Sequence, residues 1–169
     1  MREPVFFEDF SVGQKERFGR YEVTADEIVE FAKKYDPQPY HVDPQAAKES
    51  LFGGLCASGW HTCAMTMRMM VDRMKETGTY SYGSPGIDEV RWKRPVFPGD
   101  VLTVEMEVID KRRSRSRPGL GIISNRYHTL NQKGEVVMSF IGNAFFPCRS
   151  PSADEAPQEK PAVSQDPAS

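Results

Sequence analysis

Residues 58–78 decide most of what this chain can fold into. Trp60, Ala64, Met67, Val71 and Met74 recur at seven-residue spacing, while Met65, Met69 and Met70 fall on other faces. The pattern predicts a helix from about Gly59 to Thr77, roughly 30 Å long and apolar nearly all round. Gly78 stands where a left-handed residue would end it. A helix without a clear polar face has to be enclosed by other structure, its five methionines serving by default as core filler.

The enclosing structure follows downstream. Residues 87–93, 101–111, 120–131 and 135–146 are strand-like runs rich in Val, Ile, Tyr, Phe and Trp, and Gln132-Lys133-Gly134 is a short hairpin connection between the last two. A further strand near residues 16–23 makes five. Strands in hairpin succession imply an antiparallel sheet. One long helix ahead of them implies an α+β fold in which a curved antiparallel sheet wraps that helix. The edges left over invite dimerisation.

Chemistry concentrates upstream of the long helix, in Asp36-Pro37-Gln38-Pro39-Tyr40-His41. Thr24-Ala25-Asp26-Glu27 reads as a capping box, followed by Ile28, Phe31, Ala32 and Tyr35 on one helical face. Pro37 breaks that helix at Asp36. Asp43-Pro44 caps a second, short helix that ends before Gly53-Gly54. A carboxylate and an imidazole therefore share a proline-stiffened loop, an arrangement suited to proton transfer. By itself such a hexapeptide more often marks a solvated cap with an incidental histidine. Its surroundings have to decide.

Composition excludes several classes. At 169 residues and 38% hydrophobic, the chain suits one domain, residues 1–149, and no apolar run reaches the roughly 18 residues of a membrane span. Residues 150–169 contain four prolines and no aromatic, which predicts a disordered tail. Asp154, Glu155, Glu159 and Asp166 against Lys160 give that tail −3 and leave +1 on residues 1–149, too little for a nucleic-acid binder. Glu3, Pro4, Glu8 and Asp9 interrupt any signal-peptide pattern, so a cytoplasmic location is expected. Cys56, Cys63 and Cys148 are odd in number and lack CxxC spacing, and Cys56, His61 and Cys63 match no usual zinc spacing. No metal is expected. The one concentrated basic run is Lys111-Arg112-Arg113-Ser114-Arg115-Ser116-Arg117, usually a solvated loop but also suited to phosphates.

Taken together, Asp36-x-x-Pro39-x-His41, Gly53-Gly54, Ala57-Ser58-Gly59 at the head of a long helix, and Arg94-Pro95-Val96-Phe97-Pro98-Gly99-Asp100 resemble the MaoC-like, (R)-specific enoyl-CoA hydratases of the hot-dog fold, over roughly residues 7–147. The resemblance implies reversible addition of water to a 2-enoyl-CoA thioester, giving an (R)-3-hydroxyacyl-CoA. That reaction needs a base for the water, an acid for the α-carbon, and donors for charge on the thioester oxygen. By resemblance Asp36 and His41 are the catalytic pair. Gly59, with Trp60 beside it, falls to the oxyanion role, because first-turn N–H groups lack internal partners and Gly admits a ligand closely. Ser58, Trp60 and Gln38 are expected to contact substrate, and Arg112, Arg113 and Arg115 to meet CoA phosphates from this chain or a neighbouring subunit. The long helix's methionines would suit an acyl tunnel. No cofactor is implied beyond the CoA of the substrate, and no membrane partner. Relatives pair two sheets edge to edge, so a homodimer with sites completed across the interface is expected.

The chain departs from the pattern at two places: Gln38 stands where the signature usually has Asn, and Met67 where some relatives carry a helper Ser. Rival readings are a hot-dog thioesterase and a dehydratase acting on acyl-carrier-protein-bound chains. A thioesterase would need a carboxylate on the long helix, and residues 59–70 contain no Asp or Glu.

Overall fold

Thr24 opens the first helix as its sequence predicts, its hydroxyl accepting the Glu27 N–H at 3.3 Å. The computed structural model describes residues 5–149, and the expected tail at 150–169 lies outside the described residues. Helix α1 (Ala25–Tyr35) stops at Asp36, whose φ of −151° leaves helical geometry ahead of Pro37. The second half of the expected capping box is diverted: the Glu27 carboxylate accepts the Tyr21 hydroxyl and faces His61. The expected stiff loop is also partly a helix, because Pro39 begins a single turn, α2 (Pro39–Val42). Proline is well placed at a first helical position, and Gln38 ahead of it is extended as that requires. Asp43 then caps α3 (Pro44–Lys48), accepting the Gln45 and Ala46 N–H groups.

Ser58 caps the long helix α4 (Gly59–Thr77), and Gly78 ends it in the left-handed conformation at φ 74°. The five strands are β1 (Lys15–Glu22), β2 (Gly86–Trp92), β3 (Val101–Arg113), β4 (Leu120–Leu130) and β5 (Val136–Pro147). They form one antiparallel sheet in the order β1-β3-β4-β5-β2. Their bounds fall within two residues of those predicted. β3 runs furthest beyond, since Arg112 and Arg113 still pair with Ile122 and Gly121. Register shifts in all four strand pairings bend the sheet.

The core lies between α4 and one sheet face, where Met65 and Met69 meet Leu102, Val104, Tyr127, Val137, Met138 and Phe140. β1 approaches closely only because residue 19 is glycine: its φ is +78°, and an added Cβ would sit 2.7 Å from the Met69 sulfur. A smaller cluster of Phe7, Val108, Ile123 and Phe146 closes the far end, where Lys111 donates to the Phe7 and Phe10 carbonyls. Among the described residues no helix is long and apolar enough to cross a membrane.

The helix is not enclosed all round. Its buried face is His61, Thr62, Met65, Thr66 and Met69, whereas Trp60 (60% exposed), Ala64, Met67 and Val71 face outward. The threonines show how polar residues join the buried face. Thr62 and Thr66 return their hydroxyls to the helix's own carbonyls, and Thr66 also meets the Thr129 hydroxyl at 2.9 Å, so they pack as small apolar groups. At Trp60 the outward stripe meets Trp92 of β2, a strand at the sheet edge that pairs with β5 alone among the described residues and on which Ile87 and Trp92 are also about half exposed.

Candidate active site

Three consecutive breaks in regular structure bring the site together: the end of α1, the single turn α2, and the start of α4. Asp36 is the C-cap of α1, its N–H bonded to the Ala32 carbonyl at 2.9 Å. His41 sits in α2, its N–H held by the Gln38 carbonyl. The intervening prolines turn the chain so that Asp36 Oδ2 and His41 Nε2 stand 3.6 Å apart. That gap is too long for a direct hydrogen bond.

The imidazole's tautomer is set from behind. His41 Nδ1 lies 2.7 Å from the Cys56 carbonyl oxygen. A carbonyl only accepts, so Nδ1 carries the proton, and in the neutral ring Nε2 presents a lone pair toward Asp36. Cys56 Sγ is 3.8 Å from the same nitrogen, and burial pushes its thiol up to about 11, so it stays protonated and is no nucleophile. Tyr40 packs edge-on against the His41 ring, and Phe52 lies across both. His41 is 8% exposed and Asp36 23%, so the carboxylate is the more open member of the pair.

Ser58 joins this pair to α4. Its hydroxyl donates to Asp36 Oδ2 at 2.7 Å and accepts the Trp60 N–H at 3.2 Å. The Trp60 amide is thereby used within the helix, leaving the N–H groups of Gly59 and His61 as the first-turn donors without a protein partner among the described residues. The glycine has a second reason to be there. A Cβ on residue 59 would lie 2.5–2.8 Å from the Trp92 indole, which donates from Nε1 to the Gly59 carbonyl at 2.8 Å. Access for a ligand was the expected reason; close packing on Trp92 is the one the geometry displays.

The other expected contacts divide. Trp60 projects outward in an edge-to-face pair with Trp92. Gln38 acts through its backbone, and its side chain is exposed. Arg112, Arg113 and Arg115 line a cavity of about 580 Å³ with Ser114, Ser116 and Arg117 at the β3–β4 hairpin. This hairpin is not near the pair within one chain. α4 begins where β2 ends at Trp92, opposite the row containing Met138 and Thr129, whereas Arg113 pairs with Gly121, which pairs with Phe146. From Val104, in that row, to Arg113 the strand runs about 30 Å. Arg113 is also engaged with Glu8 at 2.9 Å.

Sequence reasoning missed the Cys56 carbonyl, the dual bond of Ser58 and the wedge of Trp92. Only Ser58 left a signal, as a favourable N-cap residue ahead of Gly59.

A family model described as MaoC like domain matches residues 9–129. Among solved structures, a MaoC-like dehydratase from Rhodospirillum rubrum is 41% identical with a TM-score of 0.77, the alignment covering 86% of this chain and 99% of that one. An uncharacterised Bacillus subtilis protein, YdeM, is 33% identical over 75% of this chain and 87% of its own length. Mesaconyl-CoA hydratase of Haloarcula marismortui is 29% identical over 72% of this chain but 33% of its own, so the chain spans about a third of that enzyme.

Proposed function

The chain belongs to the MaoC-like domain family, and from that premise we propose that it is a hydro-lyase adding water reversibly across a 2-enoyl-CoA thioester to give an (R)-3-hydroxyacyl-CoA. The single observation that carries the reading is the pair itself: Asp36 Oδ2 and His41 Nε2 at 3.6 Å, with the imidazole oriented by Cys56 and the carboxylate by Ser58. Two acceptors facing across such a gap suit one water donating to both. In hydration an O–H bond of that water breaks, its proton passes to Asp36 or His41 as its oxygen bonds the β-carbon, and the group that took the proton delivers it to the α-carbon, so both groups end as they began. Charge developing on the thioester oxygen is met by the Gly59 N–H at the positive end of α4. No cofactor of the protein's own takes part.

The CoA handle is read from the basic hairpin acting in a dimer. β2 is an open edge, and antiparallel pairing with β2 of a second copy reverses that copy's sheet. The partner's hairpin end then stands beside the start of this chain's α4, where phosphates of a bound CoA would meet Arg112 and Arg115. A thioesterase reading lacks a carboxylate on α4 between residues 59 and 70.

Asp36→Asn and His41→Ala are each expected to lower enoyl-CoA hydration about 10²–10⁴-fold with the fold retained, and the double variant to be little worse, because the groups act as a unit. Loss of the conjugated-thioester absorbance on crotonyl, octenoyl and branched enoyl-CoA esters reads this directly. Near-normal turnover by either folded variant rejects the pair.

A further inference from the structure

Outside the Asp36–His41 pair, the described residues contain a second cluster of titratable groups between α1 and α4. His61, one turn into α4, is 2% exposed and stacks on Phe31 of α1 at 4.6 Å and 10°. Its Nε2 lies 3.4 Å from Glu27 Oε1, and Glu27 also accepts the Tyr21 hydroxyl from β1. Its Nδ1 is buried without a hydrogen-bond partner. Glu30, Lys34 and Arg68 line the same cleft. A residue present only to fill space would leave no buried ring nitrogen unpaired; phenylalanine would pack against Phe31 without that cost.

The tautomer follows from the neighbours. Burial pushes the His61 imidazole below the ordinary histidine value, against the opposing pull of Glu27, so the ring is neutral at neutral pH and carries one N–H. The Glu27 carboxylate only accepts, which puts that proton on Nε2. Glu27, Phe31 and Tyr35 are spaced four apart and share one face of α1. Two polar links therefore tie α1 to the first turn of α4: Glu27 to His61 near its start, and Asp36 to Ser58 at its end.

We propose that His61 is a positioning residue: through Glu27 it sets how α1 lies on α4, and so where Asp36 stands relative to His41 and the Gly59 N–H. The proposal rests on the hydratase reading, since it concerns the geometry of that pair. Asp36 ends α1, so a shift or rotation of the helix moves its carboxylate while leaving His41, held by Cys56, in place. A misplacement of about 1 Å in a reacting group costs up to about 10²-fold in rate.

The test compares His61→Phe, which keeps the stacked ring and loses the donor, with His61→Gln, which restores a donor, and with Glu27→Gln. Steady-state hydration of crotonyl-CoA is measured beside thermal unfolding and ¹⁵N spectra of the His61 ring. The expected results are a kcat about tenfold lower in His61→Phe with KM within about twofold, recovery of most of that loss in His61→Gln, and a double His61→Phe/Glu27→Gln variant no worse than His61→Phe alone. Should His61→Phe fail to fold, Glu27→Gln carries the same kinetic expectation. The ¹⁵N spectra should show the Nε2–H tautomer, titrating further below the ordinary value when Glu27 is neutralised. Wild-type kcat in both folded variants, losses that multiply, or an Nδ1–H tautomer overturns the proposal. Wild-type protein that hydrates no enoyl thioester overturns the functional reading and the positioning role with it, whereas an active wild type with an indifferent His61→Phe overturns the positioning role alone.

Discussion

At Gly59 two demands fall on one missing methyl group. The Trp92 indole fills the space a Cβ would need, and the N–H of the same residue is the donor assigned to the thioester oxygen. Gly59→Ala should push Trp92 aside, tilt the first turn of α4 and lower turnover by about 10²-fold, the lower end of the range for loss of an oxyanion donor. The two demands separate in a second background. Where packing is the whole reason for glycine, Gly59→Ala made in a Trp92→Ala protein should recover most of the activity of Trp92→Ala itself. A double variant as poor as Gly59→Ala beside an active Trp92→Ala would mean that the added methyl group obstructs the thioester. The candidate pair was legible from residue types and proline spacing; the wedge of Trp92, 33 positions downstream, left no trace in the local pattern.

Among the elements, α4 shows how far periodicity alone can mislead. Its length and its Gly78 terminus were readable, because breakers act locally. The buried face was not. Periodicity left the helix apolar nearly all round, while the structure buries His61, Thr62, Met65, Thr66 and Met69, whose polar atoms are largely satisfied inside the helix or across to β4 and α1. Methionine scanning distinguishes the two faces. Met65→Ala should cost about 2–5 kcal/mol in urea unfolding, as for other buried long side chains. Met67→Ala, half exposed, should stay within about 0.5 kcal/mol in dilute protein. Equal costs would show the outward stripe to be covered in the assembled protein. The single turn α2 was missed for a related reason, since a proline that stiffens a loop also starts a helix well.

For the whole molecule, the strands and their antiparallel pairing followed from hairpin spacing, but their lateral order β1-β3-β4-β5-β2 did not. Only that order reveals that the Asp36–His41 pair and the arginine hairpin lie toward opposite ends of one sheet, about 30 Å of strand apart. The proposed dimer through the β2 edges would turn the separation into exchange, each chain lending its hairpin to the other's pair. The consequence is a test by complementation. Protein carrying Asp36→Asn and protein carrying Arg112→Ala with Arg115→Ala should each be poor at low enoyl-CoA. Unfolded and refolded together, they should form hybrids in which one of the two sites combines an intact pair with an intact hairpin, restoring about a quarter of the wild-type sites at equal mixing. Were each hairpin to serve its own chain, every hybrid site would inherit one defect and no activity would return.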